Sequence, residues 1–232
     1  MKKIDQRKVH ILKLIVESYI RTGEITGSKS LLAKHDLQVS SATIRNDMAS
    51  LEKMGLIFQP YNSAGRLPTT RGLRVFVDYL MEALPTVFIE AEEQYTRKIE
   101  LNRIDDTLYN LVSRLTKITG EITFASIPNL GASYYLGLSS YLDRNRGIIG
   151  DEMYQVIKFL ENKHQFLDVL ENLDINNRIS VFIGEENILP ELESSTMIVK
   201  KFEIAEHVGY LGILGSTKMD YAFNITALRQ VL

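Results

Sequence analysis

The sequence predicts an α+β fold in two parts. Three observations carry that reading. Apolar residues recur at helical spacing from Ile4 to Met54 and then give way to two short β-prone runs around a turn of small residues. A second, longer amphipathic stretch covers residues 90–119. Beyond Glu121, short β-prone runs alternate with helical stretches as far as Val231. The expected boundaries are 1–82 for a helical head ending in a hairpin, 83–120 for a long connecting helix, and 121–232 for a mixed α/β body.

The head follows element by element. Ile4, Ile11, Leu12, Ile15, Val16, Tyr19 and Ile20 form a broad apolar stripe, which predicts a first helix over 4–21 with Gly23 as its C-cap. A short second helix is expected over 28–34, capped by Ser28, with Leu31 and Leu32 facing the core. Asp36 to Val39 make a turn. Ser40 or Ser41 caps a third helix, which runs to Met54 and stops at Gly55. Ile44, Met48 and Leu51 share one face of that helix and anchor it on the first. Leu56 to Gln59 and Arg66 to Thr69 are the two runs of a hairpin, with Asn62 to Gly65 as its turn. Phe76, Val77 and Leu80 belong to the core of a following helix. Three helices followed by a two-stranded hairpin is the order of a winged helix-turn-helix.

That order directs attention to the exposed face of the third helix. Ser41, Ala42, Thr43, Arg45 and Asn46 are small, polar or basic and lie near its N-terminal end. Small residues let a backbone approach the major groove, and Arg and Asn can pair in bidentate fashion with guanine and adenine edges. These five are the expected base readers. Ser28, Lys29, Ser40, Lys53, Arg66, Arg71 and Arg74 are the expected contacts to the DNA backbone. Each alone is equally a solvated surface residue, so the order of elements carries the inference.

Charge distribution supports a polyanionic partner. The 27 Lys and Arg and 29 Asp and Glu give a formal net charge of −2. Residues 1–75 nevertheless hold roughly twice as many basic as acidic residues, and the remainder is acidic. Cysteine is absent, which excludes disulfides, thiolate metal sites and a cysteine nucleophile. The basic N-terminal residues lead into no purely apolar core, so no signal peptide is expected. No apolar run approaches the roughly 20 residues that span a bilayer. A cytoplasmic protein is expected.

The segments GSKSLL, SSATIRNDMASLEKMGLI, QPYNSAGRLPTTRGLRVFVDYLM and, near the C-terminus, GYLGILGSTKMDYAFNITALRQVL resemble the HrcA heat-inducible transcription repressors, and IGEEN at 183–187 supports the match. The resemblance implies a homodimeric repressor of chaperone genes that binds an inverted-repeat operator in double-stranded DNA and is released on heat stress. It also implies a GAF-like regulatory domain and a GroEL-type chaperonin as a partner, with no cofactor. The chain departs from the family in length: residues 128–150 stand where the family has a longer stretch that includes an inserted dimerisation subdomain. The family's Gly-Pro-Thr-Arg-Met-Asp-Tyr is here Gly215 to Tyr221 with Ser216 and Lys218 as the changes.

In the body, Ile99, Ile104, Leu108, Leu111, Val112, Leu115 and Ile118 mark the stripe of the long helix. It reads equally as a connector and dimerisation element or as a helix packed on its own domain. Ile122 to Ile127, Tyr134 to Leu138, Ile179 to Ile183, Thr196 to Ile204 and Val208 to Leu214 are the expected strands. Asp151 to Leu173 and Lys218 to Val231 are the expected helices, the last capped by Ser216 or Thr217.

Catalytic chemistry finds little support. His10, His35, His164 and His207 form no ligand-spaced pair, and His164 with Glu161 and Asp168 reads as a solvated ion-pair face. Lys218 follows Ser216 and Thr217, the reverse of the P-loop order. Glu185 and Glu186 read as loop surface. No nucleophile–base arrangement is present, so neither an enzyme nor a metal site is expected. Two other readings remain: a winged helix that binds a protein, separable by a pull-down without salt-dependent DNA binding, and a regulator whose body senses a small molecule, separable by thermal-shift screening.

Overall fold

The computed structural model describes residues 5–62, 64–83, 103–144, 150–204 and 206–232. The chain divides into two compact units, Met1–Pro85 and Thr86–Leu232. Ile4, Ile99 and the stretch 84–102 of the expected connecting helix lie outside the described residues.

The first unit runs α1 (Gln6–Thr22), α2 (Ser28–Lys34), α3 (Ser41–Lys53), β1 (Ile57–Phe58), β2 (Leu67–Pro68) and α4 (Thr70–Ala83). Asp5 caps α1 by accepting from the Arg7 backbone amide at 2.8 Å, and Gly23 closes the helix in the left-handed region at φ 69°. Ser28 does not cap α2. The N-cap is Gly27, with no side-chain bond, and the Ser28 hydroxyl lies 3.1 Å from that of Ser41. Ser40 caps α3, its Oγ accepting from the Thr43 amide at 3.1 Å. Ile11, Leu12, Ile15 and Val16 of α1 meet Leu31, Ile44, Met48, Leu51, Leu56, Leu73, Phe76 and Val77 in a buried core. Leu32 is only half-buried. The strands pair antiparallel, Ile57 with Pro68 and Phe58 with Leu67. Gly72 sits where α4 meets the strand: a Cβ there would lie 2.0 Å from the Leu56 carbonyl oxygen.

The second unit contains α5 (Ile104–Thr119), β3 (Ile122–Ile127), β4 (Ala132–Leu136), α6 (Leu138–Arg144), α7 (Asp151–Glu161), α8 (Lys163–Asn172), β5 (Ser180–Ile183), β6 (Ser195–Ile204), β7 (His207–Ser216) and α9 (Tyr221–Val231). The five strands form one antiparallel sheet in the order β4-β3-β7-β6-β5. Both faces of its centre are covered. Ile122, Phe124, Met197, Val199 and Leu214 join Val156, Phe159, Phe166, Val169 and Leu170 of α7 and α8 in one core. The alternate residues of β3, β6 and β7 lie under α5 and α9, which pack on each other and on the sheet. The described part of the expected connecting helix is therefore a layer of this unit, with Ile104, Leu108, Leu111, Val112 and Leu115 buried, although Ile118 is exposed.

Three expectations change. The stretch expected as one helix from Asp151 to Leu173 is two helices broken at Asn162, whose side chain caps α8. Glu161 thus ends α7 while His164 lies in the first turn of α8. The second expected strand is shifted to Ala132–Leu136, and Leu138 opens a helix. The last helix begins at Tyr221 and is capped by Asp220, not by Ser216 or Thr217.

The C-terminal motifs turn out to serve packing. The Tyr221 hydroxyl donates to the Thr217 carbonyl at 2.8 Å and lies 3.2 Å from the Thr196 hydroxyl, so it pins the corner between β7 and α9. Buried Asn187 donates to the carbonyls of Gly184, Leu192 and Ser195 at 2.9, 3.1 and 3.0 Å. Glu186 accepts from the Ile183 amide at 2.9 Å.

Candidate nucleic-acid interface

The exposed face of α3 follows from its buried one. Ile44, Met48 and Leu51 are buried together with a charged residue, Asp47, at 4% exposure. A carboxylate in that position needs a partner. Arg7 of α1 supplies it, donating through Nε at 2.7 Å and Nη2 at 3.2 Å. The hydrogen bond to Asp47 also raises the Arg7 pKa above the ordinary arginine value. This bidentate pair and the apolar stripe fix α3 on α1. The pair escaped the sequence reading because its members are distant in the chain. The available signal was Asp47 itself, which shares the helical face of Ile44 and Leu51.

With one face fixed, the opposite face is presented. Successive residues turn by about 100°, so Ala42, Arg45, Asn46, Ala49 and Lys53 form one stripe. Ala42, Arg45, Asn46 and Lys53 are exposed and Ala49 is half-buried. Ser41 and Thr43 flank the stripe, both half-buried, and exposed Ser40 holds the first turn. Ser41 and Lys53 are separated by roughly 18 Å along the axis. The base-reading candidates therefore sit at one end and Lys53 at the other. Arg71, exposed on α4, lies at the Lys53 end, its Nη1 3.8 Å from where a Cβ on Gly55 would stand. Arg74 reaches Asp78 at 3.5 Å.

A second group converges at the side of α3. Ser28 and exposed Lys29 of α2, Arg45 and Met48 of α3, and Gln59, Ala64, Gly65 and Arg66 of the hairpin line one cavity of about 470 Å³. Two of the expected DNA-backbone contacts are engaged within the protein here. Ser28 is buried against Ser41. Arg66 is a folded-in arginine with a 16% exposed side chain. Its Nε and Nη2 donate to Glu52 Oε2 of α3 at 3.1 and 2.8 Å, and its Nη1 donates to the carbonyls of Ala64 and Gly65 at 3.3 and 3.2 Å. What the hairpin exposes instead is aromatic: Phe58 is 43% and Tyr61 64% exposed. Strand alternation explains Phe58, which must point away from buried Ile57.

Among the described residues no group of three or more His, Cys, Asp or Glu could hold a metal ion, and no helix is long and apolar enough to cross a membrane. The model of the HrcA protein C-terminal domain matches residues 65–225. The chain belongs to the HrcA family. Among its relatives, the heat-inducible transcription repressor HrcA of Carboxydothermus hydrogenoformans is 28% identical across 97% of this chain and 95% of that protein. That alignment occupies 328 positions against a chain of 232 residues, so many positions of the relative have no counterpart here. The HrcA of Clostridium perfringens is 44% identical over 134 residues, which cover 53% of this chain and 38% of the relative. A hypothetical protein of known crystal structure shares the fold, with a TM-score of 0.78 at 18% identity, covering 99% of this chain and 96% of its own.

Proposed function

We propose that this HrcA-family chain is a DNA-binding transcription repressor of heat-shock genes. The observation that carries the reading is the exposed set Ala42, Arg45, Asn46 and Lys53 on a helix whose other face is locked to α1. The first unit acts as a winged helix, with α3 in the major groove and the β1–β2 hairpin as its wing. Arg45 and Asn46 read bases, and Ser41, Ala42 and Thr43 bring the backbone close. Lys29, Ser40, Lys53, Arg71 and Arg74 position the duplex through its phosphates. The proposed functional division is 1–82 for DNA binding and 121–232 for a GAF-like regulatory and dimerisation domain, supported by the antiparallel β4-β3-β7-β6-β5 order; of 83–120, proposed to connect the two and to aid dimerisation, α5 belongs structurally to the second unit.

One winged helix makes few base contacts. A homodimer on an inverted repeat doubles them and raises the specificity ratio. Heat releases the repressor, and a GroEL-type chaperonin is the modulating partner. The protein acts in the cytoplasm, without cofactor and without catalysis.

Gel shifts on an inverted-repeat operator and on a scrambled duplex test the reading. Arg45→Ala is expected to reduce discrimination between them, since one good bidentate pair is worth about 1–3 kcal/mol. Lys53→Ala is expected to weaken binding to both equally and to flatten the salt slope by about one unit. Wild-type protein that binds the operator no tighter than the scrambled duplex overturns the proposal.

A further inference from the structure

We infer that Arg66 is a positioning residue that fixes the hairpin against α3 and makes no contact of its own with the phosphates. The inference rests on the DNA-binding reading above and deepens it. Four donor contacts of one guanidinium are satisfied inside the protein: two to Glu52 Oε2 and one each to the carbonyls of Ala64 and Gly65. The Arg66 backbone is held as well. Its amide donates to the Thr26 carbonyl at 2.8 Å, and the Thr26 amide donates to the Arg66 carbonyl at 3.0 Å. Gly65 permits that bridge, because a Cβ on it would lie 2.3 Å from the Thr26 oxygen. Arg66 therefore ties three segments together: the loop before α2, the hairpin and the C-terminal half of α3.

Glu52 gives the arrangement a second purpose. It lies two turns beyond Arg45 on the adjoining side of α3, and a bare carboxylate there would repel a bound duplex. Arg66 neutralises it. Moving Arg66 to a phosphate would leave Glu52, 35% exposed, uncompensated beside the backbone.

The double variant Glu52→Gln with Arg66→Ala separates the two roles, because it removes the pair without changing the net charge beside the duplex. If Arg66 binds phosphate, the salt slope of the double variant flattens by about one unit. If Arg66 is a clamp, specific binding weakens and the slope stays unchanged. The probe is a duplex enriched by this protein from a random library, with a scrambled duplex as control. Dissociation constants are measured for the full chain across a salt series and referred to the active fraction from stoichiometric titration, so loss of folded protein does not register. The double variant is expected to weaken specific binding by about fivefold to tenfold. Its salt slope stays unchanged, and the reversed pair Glu52→Arg with Arg66→Glu recovers part of the loss. A slope flattened by about one unit in the double variant, or specific binding as tight as that of the unaltered chain, overturns the assignment. Failure of wild-type protein to enrich any duplex defeats the DNA-binding reading instead, a result distinguishable from either.

Discussion

Lys200 shows how much a single position can be held against its own preference. It lies on β6 opposite Leu211 of β7, on the sheet face that α9 covers, since neighbouring Thr196 on that face meets Tyr221. Burial lowers its pKa below the ordinary lysine value, and the charge of Arg229 on α9 lowers it further. A cation depressed in the folded state disfavours folding while both states are protonated. The penalty is full below the folded pKa, fades as pH rises through it, and vanishes above the unfolded value. Lys200→Met keeps most of the apolar stem and removes the charge. It is therefore expected to raise the unfolding temperature at neutral pH, with the gain shrinking towards strongly alkaline pH. Thermal melts at several pH values check this, and a gain that grows with pH would contradict it.

At the scale of elements, the start of α3 is the sensitive point. Ser40 satisfies an amide of its first turn, the turn that leads into Arg45 and Asn46. Ser40→Ala is expected to cost about 1 kcal/mol in urea unfolding and to weaken specific DNA binding more than non-specific binding, because a frayed first turn loosens the adjoining Arg45 and Asn46, the proposed base readers. Ser40→Asn, an equally good cap, should restore both. This cap was legible in the sequence to within one residue, Ser40 or Ser41, and α1, α2 and the hairpin were legible as elements, because glycine stops and helical periodicity are local signals; the α2 cap was not, since Gly27 and not Ser28 stands there. The break at Asn162 was not, since the apolar rhythm of α7 runs on into α8 and only the polar cap marks the joint. The Arg7–Asp47 and Arg66–Glu52 pairs were hidden for a different reason. Ion pairs between separate segments leave no period in a sequence, so Arg66 looked like a free loop cation although its neighbours consume it.

For the whole molecule, the two units have separate cores. One centres on Ile11, Ile15, Ile44 and Leu51; the other contains Phe124, Leu115, Ile198 and Leu214, all buried. Heat release of a repressor requires only that one of its units opens first, and small domains are stable by only about 5–15 kcal/mol. Calorimetry of the full chain is expected to resolve two transitions. Ile15 and Leu115 are both fully buried, and truncation to alanine costs about 2–5 kcal/mol in the unit affected. For units of this size, each kcal/mol moves a transition by several degrees, about 4–8 °C for the smaller one. Ile15→Ala should lower one transition, and with it the temperature at which an operator duplex is released. Leu115→Ala should lower the other, and its effect on duplex release identifies which unit senses heat. If release follows Ile15→Ala alone, the first unit itself is the thermal fuse; if it follows Leu115→Ala alone, heat acts through the second unit. A single transition shifted equally by both substitutions would show that the chain melts as one cooperative body and that neither unit can open first.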